Sequence, residues 1–457
     1  MPAVSLFKTK EKQLKTSELR LASFVLEHNI SFNAVDHLIN IVRNLPSDSD
    51  FLKDMSCNRT KCIALVKNVL GKESLQNQVI MMKEKHFSII IDESTDVASI
   101  KSLAICVRYV VNCRPKDNFL HLLPVPEANA TTLHSTLIAF FHEHEIDYKS
   151  KMVGFAADGA SVMMGHHHSV QALLKRDISN LRVFKCICHS LALCASQPCT
   201  KLPRTPETLL REIYSYFKYS YKKISQFKEF QEFVEARPHK ILHPSQTRWL
   251  SLYSSVKRIL EQYNALILFF RMAAFEEKNQ QAEHIFDKLT DPLIKLTFQF
   301  LKFVLPLFCD LNLLFQAESF QLHNIYQSMY TTYVTILEFF IKPDLIKVDP
   351  LGINYNDAQN YLSLDEIYLG GEVTAVLIDN SCNINAESLV VFKTNCLHFY
   401  IEVLNQINKR FPFDSEFYKG LKELGFLNPA NISGTKIPPN TKLHVTYLLV
   451  VISHSTM

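Results

Sequence analysis

Glycine is scarce in this sequence, at 10 of 457 residues. A loop that wraps phosphate groups needs glycines in a fixed order, and neither GxxxxGK[ST] nor GxGxxG occurs in the chain. The signatures of a P-loop nucleotide hydrolase and of a dinucleotide-binding domain are therefore missing. Because Leu, Lys and Glu favour helices and Gly weakens them, the composition favours a protein with much helix.

Long apolar runs and a secretion signal are also missing. No uninterrupted apolar run reaches the roughly 18 residues that a membrane span needs, and the N-terminal MPAVSLFKTKEKQLK has no signal-peptide core. We therefore expect an intracellular protein with no membrane partner. The 11 cysteines are an odd number and are scattered, so we expect most of them to be small buried side chains in a reducing compartment.

Neither sign of charge dominates. The formal net charge is 49 − 45 = +4, and hydrophobic residues make up 47% of the chain. This composition is that of a globular protein, and the length suffices for two or three domains. A mildly basic balance permits a nucleic-acid partner without requiring one.

The most informative stretch is FSIIIDESTD, residues 87–96, in which a short β-branched run leads into two carboxylates. Such a run is typical of a strand that is buried on both faces. Asp92 lies where the strand would leave the core, a position that suits a ligand of a hard cation. The alternative interpretation is a strand that ends in a helix cap, since Asp, Ser and Thr all cap helices.

Residues 87–200 alternate between strand and helix patterns. Three strand candidates come first, then a helix, a strand, a helix and a strand. This order matches the α/β, RNase H-like fold, in which the first three strands form an antiparallel meander and the others join in parallel. The candidates are Phe87–Ile91, Ser102–Val111, Phe119–Val125, Thr132–His144, Met152–Ala157, Ser169–Arg176 and Arg182–Ile187.

That topology predicts that Asp92 and Asp158 converge, because each follows one of two adjacent central strands at the same end. Two neighbouring carboxylates repel unless a cation lies between them, and Mg²⁺ or Mn²⁺ suits such oxygen ligands. A two-metal carboxylate site cuts phosphodiesters. The alternative for Asp158 is an ordinary turn in which it or Ser161 caps the next helix.

Several motifs in order resemble transposases of the hAT superfamily, and in particular their domesticated zinc-finger BED-type and MYM-type relatives. The motifs are ELRLASFVLEHNISF, SIIIDESTD, GFAADGASVMMG, KCICHSLALCAS and HPSQTRWLSL. The resemblance implies that Asp92 and Asp158 are the first two acids of a catalytic DDE triad and ligands of Mg²⁺ or Mn²⁺. It also implies that Cys186 and His189 form the family's CxxH motif.

The same resemblance implies DNA contacts by Arg248, Trp249 and His189. Trp249, the only Trp in the chain, matches a tryptophan that stacks on a flipped base, although a lone Trp is otherwise usually a core anchor. The resemblance implies that His189 is a stacking or positioning residue. Cys186, Cys188 and His189 could alternatively ligate zinc, but the paired spacings of zinc modules are missing.

The second half of the chain has few strand signals. Apolar runs such as Arg258–Phe270, Leu293–Phe308 and Leu313–Phe340 predict long helices, with Pro306 kinking or ending the second. They resemble the all-helical domain that hAT transposases insert into the RNase H-like fold. We predict four regions: an N-terminal helical region (1–85), the RNase H-like core (86–200), the helical insertion domain (201–430) and an unmatched tail (431–457).

A third acid is not identifiable. Glu318, Glu387 and Glu402 are available carboxylates, but none matches the family's final glutamate, and the tail does not resemble the family's dimerisation region. Because a site of this kind loses cleavage with one ligand missing, the sequence predicts a catalytically degenerate, transposase-like protein. Because the tail does not resemble the dimerisation region, we expect any self-association to be weak.

Three functions are compatible with these residues. The first is a Mg²⁺- or Mn²⁺-dependent enzyme that cleaves and transfers DNA strands. The second is a non-catalytic nuclear host protein that contacts DNA or protein, with a role in transcription or chromatin. The third, a zinc-stabilised interaction module, rests on clustered Cys and His alone. The first two predict a nuclear protein with DNA as partner.

Overall fold

The fold is known from a computed structural model of the chain. It describes residues 2–44, 53–96, 99–112, 114–243, 249–317, 322–379 and 384–427. The chain divides into two compact units, Met1–Phe184 and Lys185–Met457. Each unit is built from its own local elements.

The first unit opens with helices that break at Asn29. Asn29 has a φ of 51°, and the Ser31 hydroxyl then caps the second helix by accepting a hydrogen bond from the Asn33 amide at 3.3 Å. The helices are α1 (Pro2–Glu27), α2 (Phe32–Arg43), α3 (Arg59–Leu65), a π-helical turn (Val66–Leu70) and α4 (Gly71–Glu84).

The charged stretch Lys8–Lys15 is an integral part of α1. Lys15 Nζ lies 2.6 Å from Glu11 Oε1, one helical turn earlier. Such pairs at i and i+4 stabilise a helix whose charged residues face solvent.

The sheet has five strands in the order β3-β2-β1-β4-β5. β1, β2 and β3 form an antiparallel meander, and β4 joins β1 in parallel. The predicted α/β class with a mixed sheet is therefore confirmed. The strands are β1 (Phe87–Thr95), β2 (Lys101–Val111), β3 (Arg114–Pro124), β4 (Met152–Ala157) and β5 (Arg182–Lys185).

Two strands are longer than the apolar pattern predicted. β1 continues four residues past Ile91, to Thr95, and β3 begins at Arg114 instead of Phe119. Both extensions pair with β2, as in the pairs of Thr95 with Lys101 and of Val111 with Arg114. Ladder hydrogen bonds hold these polar ends in the sheet although they contribute little to the core.

The core of the first unit lies against one face of the sheet. Fully buried residues of neighbouring strands, such as Ile89 and Phe155, pack there against α4 and the later helices. These later helices are α5 (Ala130–Glu143), α6 (Tyr148–Lys151), α7 (Ser161–Met164) and α8 (Val170–Asp177). Alternation along β1 places Ile89 and Ile91 on this face and Ser88, Ile90 and Asp92 on the other.

The described elements of the second unit beyond β5 are helical, apart from one isolated bridge between Ile341 and Tyr361. The prediction of a helical second half is confirmed there. The helices are α9 (Ile187–Cys199), α10 (Thr205–Phe217), α11 (Tyr221–Phe233), α12 (Trp249–Glu261), α13 (Tyr263–Phe275), α14 (Gln280–Thr290), α15 (Pro292–Val304), α16 (Pro306–Phe315), α17 (Leu322–Glu338), α18 (Pro343–Val348), α19 (Gly371–Ile378), α20 (Ala386–Arg410) and α21 (Glu416–Glu423); three short 3₁₀ turns lie at Pro350–Gly352, Ala358–Asn360 and Leu424–Leu427.

The predicted helix Arg258–Phe270 is interrupted at Gln262, which separates α12 from α13. The Gln262 side chain is buried. Its amide donates to the Arg237 carbonyl at 3.1 Å, and its oxygen accepts from Gln231 at 2.8 Å. A buried amide with these partners fixes the break, and nothing in the local apolar pattern indicates it. The predicted interruption at Pro306 is confirmed, since α16 begins there.

The helical stretch Pro292–Phe315, which spans α15 and α16, is long and apolar enough to cross a membrane. Its mean hydropathy is 1.5, and half of the scored window is buried. The stretch is not an uninterrupted apolar run, since Lys295, Lys302 and Asp310 lie within it, but these charges are too few to offset its apolar residues. The signal is weak, since a core helix of a globular protein also meets it.

Candidate functional site

Asp92 lies in the exposed second half of β1. The strand is buried up to Ile91 and becomes exposed at Asp92, where its backbone partner in β2 is Ala104. Because β1 continues to Thr95, Asp92 does not cap a helix, and that alternative is wrong. β1 is paired with both β2 and β4 in its buried half, and this pairing fixes the position of the Asp92 backbone.

The register between β1 and β4 runs toward Asp92 and Asp158, and its last pair is Ile90 with Ala156. Ser88 pairs with Gly154, Ile89 with Phe155 and Ile90 with Ala156. Two further residues along each strand lead to Asp92 and Asp158. Neighbouring strands lie about 4.8 Å apart, and paired residues of parallel strands point to the same face. Asp92 therefore belongs to the sheet face opposite the core, and Asp158 follows the end of β4, the parallel neighbour of β1.

Asp158 follows β4 directly and begins a tight turn. One of its carboxylate oxygens, Oδ1, accepts a hydrogen bond from the Ala160 amide at 3.1 Å. The N-cap of the following helix α7 is Ala160, without a side-chain hydrogen bond, so neither Asp158 nor Ser161 caps that helix. The turn orients the half-buried Asp158 carboxylate and uses only one of its two oxygens in the hydrogen bond.

The pair fits a divalent cation in the type of donor that it offers. Mg²⁺ and Mn²⁺ prefer carboxylate oxygens, and a bound cation would relieve the repulsion between the two charges and attract a phosphate oxygen. The set is small, however. Among the residues that the structure describes, no group of three or more His, Cys, Asp or Glu could hold a metal ion.

The three available glutamates fall in different places. Glu318 lies outside the described residues. Glu387 is in the first turn of α20. Glu402 accepts a hydrogen bond from Gln406 on the same helix and lies 3.9 Å from Lys201. Each of the two described glutamates has a role within the helical unit, at a helix start or in a local polar cluster.

Cys186 and His189 are brought together by a helix start. Cys186 is the N-cap of α9, and its sulfur accepts a hydrogen bond from the His189 amide at 3.5 Å. The CxxH spacing thus coincides with the spacing of a cap and the third residue of its helix. The His189 side chain is exposed. The hydrogen bond with Cys186, together with burial, raises the pKa of the Cys188 thiol.

The remaining predicted DNA contacts are less well defined. Trp249 is the first residue of α12, and Arg248 lies outside the described residues. Their proposed roles stay predictions.

Sequence reasoning missed an ion pair of a buried arginine on the same sheet face as Asp92. Arg108 of β2 is 2% exposed and forms a two-pronged salt bridge with Asp117 of β3. Arg108 pairs in register with Ser88 of β1. Its Nη1 has no hydrogen-bond partner in the described part of the chain. The available signal was a charge in the otherwise apolar run ICVRYVV.

Residues 58–169 match the model of the family described as DUF4371: ZMYM1/FAM200, RNase-like domain. The matched segment contains β1 to β4, and therefore both Asp92 and Asp158. The match supports an RNase-like domain in the first unit. The match covers about a quarter of the chain.

Proposed function

We propose that this chain is a DNA-binding protein descended from hAT-type transposases. In this proposal its RNase H-like domain binds a divalent cation through Asp92 and Asp158 but does not cleave DNA. The observation that carries the proposal is the parallel pairing of Ile90 with Ala156. A nuclear location follows from the proposal, because DNA is the partner.

The cation-binding part of the proposal is supported by three features. Asp92 lies in β1 and Asp158 directly follows β4, these two strands pair in parallel, and both acids lie in the segment that matches an RNase-like domain. A phosphate group can bind to a cation held by two carboxylates, since hard cations accept both kinds of oxygen. This chain's own contribution is to place the two carboxylates at a fixed separation and outside the apolar core.

The lack of cleavage is proposed because the donor set is incomplete among the described residues. Hydrolysis or transfer of a phosphodiester by two cations requires that both the attacking and the leaving oxygen be held in line. Two carboxylates without a third acidic ligand hold one cation more readily than they hold two cations. The helical second unit, in this proposal, corresponds to the insertion domain and contributes DNA contacts instead of chemistry.

The experiment measures DNA binding and DNA cleavage by the same full-length protein. Fluorescence anisotropy with a labelled hairpin duplex, with and without Mg²⁺, is repeated for Asp92→Asn and Asp158→Asn. We expect wild-type binding to strengthen with Mg²⁺ and to weaken as salt rises, and each variant to lose the Mg²⁺-dependent part. In Mn²⁺ the wild type should leave the hairpin uncut.

The matched control is Glu93→Gln, which removes a carboxylate next to Asp92 on the opposite face of the strand. Glu93 lies 3.6 Å from Lys101 at the surface, and loss of such a pair costs little stability. This variant should bind like the wild type. Mn²⁺-dependent cutting that disappears in Asp92→Asn would contradict the non-catalytic proposal, and binding that ignores salt would contradict DNA as the partner.

A further inference from the structure

The junction between α10 and α11 combines exposed tyrosines with lysines. Over residues 213–228 the chain has four Tyr and four Lys and neither Asp nor Glu. Tyr219 and Tyr221 are each 86% exposed. Aromatic side chains this exposed to solvent are unusual, because an exposed ring forgoes the favourable free energy of burying its large apolar surface.

The lysines are close to the rings. Lys218 Nζ lies 4.6 Å from the centre of the Tyr219 ring, and Lys222 is exposed beside Tyr221. Lys223 is more enclosed: its Nζ lies 3.4 Å from the centre of the buried Tyr216 ring, and burial lowers its pKa. The solvent-facing part is therefore Lys218, Tyr219, Tyr221 and Lys222, which we call the Tyr-Lys patch.

Two acidic side chains interact with residues of α11 near the Tyr-Lys patch. Glu277, at the end of α13, accepts a hydrogen bond from Gln226 at 3.3 Å and opposes the lowering of the Lys223 pKa. Farther along α11, Lys228 lies 3.5 Å from Glu232. Both acids have partners other than Lys218 and Lys222, and the patch itself carries two lysines and no acid, so its local charge is positive.

We propose that the Tyr-Lys patch binds single-stranded DNA, with Tyr219 and Tyr221 stacking on unpaired bases and Lys218 and Lys222 contacting phosphates. Exposed rings offer a π-face to any base, and lysines neutralise the backbone. In a duplex the bases are already stacked, so the rings would be unused. The proposal rests on the proposed function for the choice of DNA, and it adds a second contact surface for it.

The test measures binding of an oligothymidylate of about 12 nucleotides, a length within the usual range for such sites, to the full chain by fluorescence anisotropy. Tyr219→Ala and Tyr221→Ala should each weaken binding about five- to tenfold. Lys222→Ala should reduce the slope of log K against log salt by about 0.7. Binding of the hairpin duplex should change less than twofold in the tyrosine variants, as expected for a contact with unpaired bases.

Two matched controls are available on α11. Phe233 is 78% exposed but lies next to Glu232 and away from the lysines of the patch, so Phe233→Ala should leave oligothymidylate binding unchanged. Lys228→Ala removes a lysine that is already paired and should alter the salt slope less than Lys222→Ala. Because Tyr219 and Tyr221 are exposed, their alanine variants should keep the wild-type melting temperature.

Three results would overturn the proposal while hairpin binding persists. The first is wild-type oligothymidylate affinity in the double variant Tyr219→Ala/Tyr221→Ala. The second is tighter binding of oligouridylate than of oligothymidylate, which would assign RNA. The third is that poly-glutamate competes for the patch as well as oligothymidylate does, which would make an acidic protein the partner. Loss of all DNA binding by the wild type would instead reject the proposed function.

Discussion

Glu18 is a buried carboxylate in the N-terminal helices whose charge is retained by its neighbours. Its side chain is 3% exposed, and Lys61 Nζ lies 2.7 Å away. The amide and hydroxyl of Ser56 also donate to it, at 3.2 and 3.3 Å. Burial alone raises the pKa of Glu18. The hydrogen bonds from Lys61 and Ser56 together lower it by more than burial raises it, so the pKa lies below its ordinary value.

Glu18 should therefore make the stability of the protein depend on pH. A lowered pKa in the folded state stabilises the protein above the ordinary pKa of 4.5, and this contribution disappears as the pH falls through the folded-state pKa. At neutral pH, Glu18→Gln should reduce the free energy of unfolding by about 1–3 kcal/mol. Urea denaturation between acid and neutral pH measures both effects.

The control for Glu18 is Glu11, an exposed carboxylate of the same helix that pairs with Lys15 at 2.6 Å. Glu11→Gln should leave the urea midpoint at neutral pH unchanged within error, because surface ion pairs contribute little. Equal midpoints for Glu18→Gln and the wild type at every pH would show that the buried cluster does not stabilise the folded state.

The cysteines follow the composition argument. Five described cysteines are buried and the other four are half-buried, and all nine are free thiols. Burial raises the pKa of Cys57 to about 11 and that of Cys194 to about 12. These thiols stay protonated near neutral pH, in agreement with the prediction that they are small core side chains.

At the scale of elements, the helix start at Gly370 depends on a glycine. Gly370 has a φ of 94° and precedes α19. A Cβ atom there would lie 2.7 Å from Cβ of Phe303 on α15 and 2.5 Å from its Cγ. The positive φ and the close approach both exclude a larger residue, because the Phe303 ring is itself packed against Phe339 at 5.2 Å.

Gly370→Ala should destabilise the protein by about 2–4 kcal/mol, from backbone strain and overpacking together. The neighbouring Gly371→Ala is a matched control, because no atom lies within 4 Å of the Cβ that it would add. Alanine at this first helical position should leave stability unchanged or raise it by about 0.5 kcal/mol. Thermal and urea unfolding compare the two variants, and equal losses for both would contradict this packing.

The elements that the sequence predicted well are those with a clear apolar period. β4 spans Met152–Ala157 as predicted, because buried residues fill its whole length. β1 and β3 were predicted too short because their polar ends are held by pairing with β2, which local hydrophobicity does not reveal. The break at Gln262 depends on hydrogen bonds to Arg237 and Gln231, which are remote in sequence.

At the scale of the whole molecule, the strand order was the prediction with the largest consequence. The order of strands and helices in residues 87–200 predicted adjacent β1 and β4, and the sheet has them adjacent and parallel. The sequence could also single out Asp92 and Asp158, because each acid follows an apolar strand. It shows Arg108 as a charge within an apolar run, but not that this side chain pairs with Asp117 across the sheet.

The central claim is that Asp92 and Asp158 share one divalent cation, and Mn²⁺ binding measured by electron paramagnetic resonance tests it most directly. The free-ion signal of Mn²⁺ falls on titration with protein in proportion to the sites occupied. We predict one site in the wild type and in Glu93→Gln, and its loss in both Asp92→Asn and Asp158→Asn, since each variant removes a ligand charge. Undiminished Mn²⁺ binding in both aspartate variants would contradict a shared site.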